Sequence, residues 1–152
     1  MGKRSWDYSA ETNVAPERVL ACITDFSGRR PDYWPGLSRR QYKVLERGDT
    51  WALVREGTAN LWAVERYDWS TPGVVRWTLQ ESNLGRPGTV WEMRVSPRPG
   101  GGSHVDVHFE RDYKGVLGLG LQALFDVVGG GNVLGRYLRR TLAILEREGP
   151  AT

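Results

Sequence analysis

Glu65 and Tyr67 stand two residues apart in a segment, Leu61–Ser70, whose Trp, Val and Tyr content favours extended chain, so a strand puts both side chains on one face. A carboxylic acid beside a phenol and away from water forms an acid–base pair, because burial disfavours the carboxylate and raises its pKa. The register of this strand stays open. Leu61, Ala63, Glu65, Tyr67 and Trp69 share one face, and Trp62, Val64, Arg66 and Asp68 share the other. If the first face turns outward, Glu65 and Tyr67 are surface residues. Arg55 and Arg111 fall by strand parity on apolar faces, Arg55 with Trp51 and Leu53, Arg111 with Val105, Val107, Phe109 and Tyr113. A guanidinium among apolar neighbours needs a partner. It could hold a ligand carboxylate or enolate by paired hydrogen bonds. The plainer reading is preferred: each lies at a strand end, reaches solvent or pairs with an acid. Arg55, Glu65 and Tyr67 are the candidate catalytic residues.

Other chemistries find less support. His104 and His108 are four residues apart, but on a strand that separates them by about 13 Å, too far for one metal. Their face, with Asp106 and Glu110, is polar and reads as surface. The single cysteine, Cys22, excludes an internal disulfide and a cysteine metal cluster. It falls on an apolar helical face and belongs in the core. Gly118-Leu-Gly-Leu-Gln-Ala123 loosely fits a dinucleotide fingerprint, but no parallel βαβ unit surrounds it. No Ser/His/Asp set, phosphate loop or metal cluster is visible, so neither metal nor cofactor is expected. The net charge is +3, and the arginines at 29–30, 39–40, 136 and 139–140 have acids close by. That reads as solvated surface rather than a nucleic-acid stripe. The N-terminal residues lack the apolar core of a signal peptide, which makes a cytoplasmic location the expectation.

The elements that must position these groups follow from periodicity, within one domain over residues 1–152. Trp6, Tyr8, Ala10, Thr12 and Val14 alternate with polar residues, as in a half-buried strand. Ala15-Pro16-Glu17 opens a helix whose buried face carries Val19, Cys22, Ile23 and Phe26, and Ser27-Gly28 ends it. Segments 40–47, 50–56, 61–70, 74–82, 89–96 and 103–113 are separated by Gly, Pro and Asp turn signals, giving an antiparallel meander and about seven strands in all.

The tail differs. Residues 115–135 carry one charge, Asp126, and are otherwise nearly all apolar or glycine. A helix apolar on nearly every side must be buried on nearly every side. Two stripes are expected to face inward: Leu117, Leu121, Leu124/Phe125 and Val128, then Leu134, Leu138, Thr141/Leu142 and Leu145. Gly129-Gly130-Gly131 between them costs roughly 3 kcal/mol relative to alanine in a helix, so a kink, break or hinge is expected. Gln122, Asp126, Asn132 and the glycines argue against a membrane span, so no stable membrane insertion is expected.

Several stretches, in order, resemble one family: Asn13-Val-Ala-Pro-Glu-Arg-Val-Leu20 opening a helix, Thr24-Asp25-Phe26 followed by Tyr33-Trp34-Pro35, Val75-Arg76-Trp77, and Tyr113-Lys-Gly-Val-Leu-Gly118 entering the last helix. The chain resembles the START-like, Bet v 1-like (SRPBCC) superfamily, and within it the polyketide cyclase/dehydrase and lipid-transport family. The resemblance implies an α+β helix-grip fold: a seven-stranded antiparallel sheet around a long C-terminal helix, two short helices after the first strand, and a cavity between. It implies apolar or aromatic ligands of polyketide, lipid or isoprenoid type. Gly129–Gly131 departs from the continuous helix expected of the family.

Seven tryptophans suit a pocket wall as well as a core. The expected cavity lining is Trp34, Trp51, Leu53, Trp77, Trp91, Met93, Phe109, Tyr113, Leu121 and Phe125. The expected function is binding of an apolar or aromatic small molecule. The alternatives are an aromatase/cyclase-type enzyme, favoured if polar groups converge in the cavity, and a protein that docks a partner or membrane surface through an exposed apolar tail. A cavity below about 300 Å³ would argue against a sizeable ligand.

Overall fold

The computed structural model describes residues 2–149. The order is β1 (Arg4–Thr12), α1 (Pro16–Ile23), α2 (Arg30–Tyr33), β2 (Lys43–Arg47), β3 (Trp51–Gly57), β4 (Trp62–Asp68), β5 (Val74–Ser82), β6 (Val90–Pro97), β7 (Ser103–Arg111), α3 (Gly115–Val128) and α4 (Gly130–Glu148). The strands form one antiparallel sheet in the order β1-β7-β6-β5-β4-β3-β2. This is the seven-stranded α+β helix-grip architecture the sequence suggested. The first strand closes against the last, and β2 forms the opposite edge.

One face of the sheet is fixed by a row of aromatic side chains running across five strands. Tyr67, Trp77, Trp91, Phe109 and Trp6 are successive cross-strand partners on β4, β5, β6, β7 and β1. Their ring centroids are 4.8, 5.1, 4.4 and 5.3 Å apart along the row. Cross-strand aromatic pairs are among the more stabilising a sheet can make. Here they set the register of five strands at once, and Val75, Met93, Val105 and Val107 continue the buried face.

The register of β4 is thereby settled: Glu65 and Tyr67 point into the protein and Arg66 points out. In β3 the expected set is corrected. Ala52 and Val54 are buried and Glu56 shares their face, whereas Trp51, Leu53 and Arg55 lie on the other side. Strand parity predicts Trp51 inward with Leu53 on the more apolar face. Trp51 instead covers the turn at Gly48 and stacks with Arg66, 4.9 Å from ring centroid to guanidinium. Arg55 lies 4.4 Å over the Trp62 ring and bonds Gln41.

Helix α4 lies over the sheet with Leu138, Thr141, Leu142 and Leu145 buried, as its periodicity required. Helix α3 turns 86° away from it at Gly129. Gly129 has φ +80, a left-handed conformation that ends α3 and begins α4 on one residue. The expectation that the apolar tail is buried all round is corrected. Helix α3 buries Gly118 and Gln122 and seats Phe125 against Trp6, whereas Leu117, Leu124 and Val128 of the expected stripe are exposed. The cause is Gly118. A Cβ there would sit 3.1 Å from the Leu84 carbonyl oxygen and 3.2 Å from Tyr113 Cβ, so only this side of the helix fits that close.

Leu142→Ala should lower unfolding free energy by about 2–5 kcal/mol, because Leu142 is 1% exposed under the helix. Val116→Ala, at a position 91% exposed, should change it by less than about 0.5 kcal/mol. Urea denaturation of the two variants measures both.

Candidate functional site

Between α4, the α2 region and the inner sheet face lies a cavity of about 180 Å³. Trp77, Trp91 and Met93 supply its sheet wall, Tyr137 and Leu138 of α4 its roof, and Trp34 and Leu37 one end. The turn from Gly57 to Trp62 closes the other side. Four charged side chains, Arg30, Glu56, Glu65 and Arg111, and the Tyr67 phenol also line it.

These five form two ion-paired groups. Arg30 is 3% exposed. Its Nε donates to Glu56 Oε1 at 2.9 Å, its Nη1 to the backbone oxygens of Ile23 and Asp25 at 2.9 and 3.1 Å, and its Nη2 to the Tyr67 hydroxyl at 3.3 Å. The Tyr67 hydroxyl in turn donates to Glu56 Oε1 at 3.0 Å. Phe26 lies 4.4 Å beneath the guanidinium and adds a cation–π contact. Burial, reinforced by the Glu56 charge, pushes the Tyr67 phenol well above its ordinary pKa, so it stays protonated and serves as a donor.

In the second group Arg111 Nη2 donates to Glu65 Oε1 at 2.8 Å, and the guanidinium sits 4.9 Å from the Phe109 ring. Burial raises the pKa of Glu65 above the usual carboxylate range, and Arg111 opposes the rise only in part. Beside Glu65 the β4–β5 register slips, with Val64 opposite Glu81 and Glu65 opposite Leu79. Such irregularities re-aim a side chain locally. Glu65 Oε2 makes no hydrogen bond among the described residues, which leaves it free to receive one from a bound molecule.

Of the expected lining, Trp34, Trp77, Trp91 and Met93 border the cavity. Trp51 and Leu53 lie on the far side of the sheet. Phe109 packs against Trp91 on the next strand of the same face, outside the cavity lining, and Tyr113 and Phe125 form a neighbouring aromatic cluster at α3 with Leu121 half-buried nearby. Glu65 and Tyr67 enter the cavity and Arg55 does not. Its place is taken by Arg111, paired with an acid as the plainer reading held. Arg30 corrects the reading of residues 29–30 as solvated surface. Phe26, Arg30 and Trp34 recur every four residues, a spacing that could have placed Arg30 among buried aromatics. His104 and His108 lie on the opposite, solvent-facing side of β7, each bonded to its own carboxylates, Asp106 for His104 and Asp7 and Glu110 for His108.

Residues 4–149 match the family model described as polyketide cyclase / dehydrase and lipid transport. The chain belongs to this family. Solved structures similar to this cyclase/lipid-transport family member share its fold at low identity. A START superfamily protein from Mycobacterium smegmatis aligns with TM-score 0.74 at 12% identity, covering 94% of this chain and 97% of that one. The Zhui aromatase/cyclase from Streptomyces sp. R1128 aligns with TM-score 0.75 at 15% identity, covering 98% and 97%. Norcoclaurine synthase from Thalictrum flavum, solved with dopamine and hydroxybenzaldehyde, aligns with TM-score 0.71 at 10% identity, covering 99% and 90%. Comparison with curated proteins finds no match. These likenesses establish the helix-grip fold for the family member described here. No single helix among its described residues is long and apolar enough to cross a membrane.

Replacing Arg30 by Ala should destabilise the protein by about 3–5 kcal/mol, because Glu56 is left without its cation and two backbone carbonyls without a donor. A second expectation concerns pH. The folded-state pKa of Glu65 is raised. Its contribution is therefore most favourable below the unfolded-state value of about 4.3 and is lost as pH rises through the folded value. Denaturation of wild type and Glu65→Gln across that range should show their stability difference moving in favour of the variant as pH rises. Arg111→Met should raise the Glu65 pKa further, read by carboxyl NMR.

Proposed function

We propose that the protein acts as one ligand-binding domain that takes up a small apolar or aromatic molecule of one or two rings between α4 and the sheet. The observation that carries this reading is the aromatic-walled cavity of about 180 Å³ with Glu65 and Arg111 in its lining. A dry cavity of about 150 Å³ suffices for benzene. Drug-sized ligands take about 300–1,000 Å³. The size therefore favours a ring-sized ligand over an extended polyketide or lipid chain. Norcoclaurine synthase, solved with two single-ring aromatics, is consistent with this choice. A chain with a single, buried thiol and no disulfide fits action in the cytoplasm.

A second reading, acid–base catalysis on the bound ring, is favoured by one observation: Glu65, Tyr67 and Arg111 reach the same cavity. In that reading Glu65, with its raised pKa, takes and returns a proton. The free donors of Arg111 hold the enolate or phenolate oxygen that develops. The Tyr67–Glu56–Arg30 group holds the wall in place.

Native mass spectrometry of freshly purified protein, followed by release and identification of any bound small molecule, tests the binding reading. A co-purified aromatic compound, together with quenching of the wall tryptophans on titration, is the expected result. Trp77→Ala should weaken binding at least tenfold. An empty protein without a fluorescence response to a panel of one- and two-ring aromatics would overturn it. For the enzyme reading, Glu65→Gln should abolish turnover while leaving affinity within a few-fold of wild type.

A further inference from the structure

Helix α3 is inside out. Its inward side carries Gly118 and Gln122, and among the described residues the buried Gln122 amide finds no partner for either its nitrogen or its oxygen. Its solvent-facing side carries Val116, Leu117, Leu124 and Val127, exposed by 91, 74, 54 and 84%. A contiguous exposed apolar face of this kind, running the length of the helix, marks a candidate interaction surface. The only charge in the helix, Asp126, is already paired with Arg4.

The surroundings indicate the occupant. Helices α3 and α4 both rest on the same side of the sheet, α3 through Phe125 on Trp6 and α4 through its contacts with β1, so their other faces both turn away from it. On α4, beyond the bend, Val133 is exposed and is followed by the exposed Arg136 and Arg140. Lys114 stands at the start of α3. None of these three cations makes a salt bridge among the described residues. An exposed apolar helix face, with an unpaired cation at its N-terminal end and two more on the outer side of the helix that follows, matches a bilayer surface bearing anionic headgroups. It matches a second copy of the chain less well, since a two-fold contact would bring like charges together. At 14 residues α3 is about 21 Å long, too short to cross a hydrocarbon core of about 30 Å but suited to lying along its boundary. The bend at Gly129 frees it from the direction of α4.

We infer that α3 docks the protein reversibly on anionic lipid bilayers, its Val116, Leu117, Leu124 and Val127 face entering the interface beside Lys114, Arg136 and Arg140. This does not depend on what the cavity binds.

The test is co-sedimentation of the full chain with phosphatidylcholine vesicles, with and without a quarter of phosphatidylglycerol. Wild type should bind the anionic vesicles and bind pure phosphatidylcholine at least five-fold more weakly. Leu117→Gln/Val127→Gln should reduce binding at least tenfold, and Arg136→Gln/Arg140→Gln several-fold, with melting temperatures unchanged because all four positions are exposed. Val116→Ser repeats the test at an independent position. Wild type remaining in the supernatant with both vesicle types would overturn the proposal. So would undiminished binding by Leu117→Gln/Val127→Gln. A wild-type dimer that this double variant converts to monomer, without vesicle binding, would assign the face to a second copy instead.

Discussion

A guanidinium with almost no access to water is tolerable only if its donors are met, and in this fold the partners of Arg30 come from three separate places. The end of α1 gives the Ile23 carbonyl, the loop after it the Asp25 carbonyl, and the sheet gives Glu56 and Tyr67. Satisfying Arg30 therefore fixes where the short-helix region sits relative to β3 and β4. Trp34, which borders the cavity, is carried along by the same anchor, 5.7 Å from the guanidinium. The cost of an unmet buried charge is what makes the arrangement specific. Whether the pair adds net stability over an apolar substitute is secondary to the geometry it imposes.

The aromatic row does for the sheet what Arg30 does for the loop. Large flat side chains stacked across five strands leave little freedom in register and produce a rigid wall. Tyr137 and Leu138 of α4 face Trp34, Trp77 and Trp91 across the same void, and Tyr137 packs against Trp34 with ring centroids 6.1 Å apart. The cavity is thus the space between the aromatic face of the sheet and the helix that covers it. The polar groups inside it feel a low dielectric, which is why Glu65 is held above its ordinary pKa even with a cation beside it.

Strand number, their antiparallel order, the buried stripe of α4 and the break at the glycines all follow from periodicity and turn residues, because these are local signals. Much of the site does not. In β3 the two faces are Trp51, Leu53, Arg55 and Ala52, Val54, Glu56. The bulkier set looks like the core, and only the cross-strand match of Ala52 with Tyr67 decides otherwise. Arg30 sits in a run of arginines whose neighbours are solvated, and its burial is a tertiary event. Helix α3 misled in the opposite sense. Its composition demands burial, but the close approach of Gly118 to Leu84 and Tyr113 selects its least apolar side to face inward. Glu65 and Tyr67 were within reach because they are two residues apart on one strand, leaving only a choice between two registers.

The pairing of β1 with β7 also constrains how the molecule comes into being. Arg4 pairs with Arg111 and Thr12 with Ser103, so β1 has no partner until β7, some hundred residues later, has been made. Contacts so distant in sequence are slow to form, since the loop entropy is lost before they can compensate for it. During synthesis β1, with Trp6 and Tyr8 on one face, must wait unpaired while β2 to β6 accumulate. Only β7, followed at once by α3 and α4, can cover it. The C-terminal helices therefore complete the fold as well as the cavity, and a chain stopped before residue 103 would present an open, aromatic strand edge to its neighbours.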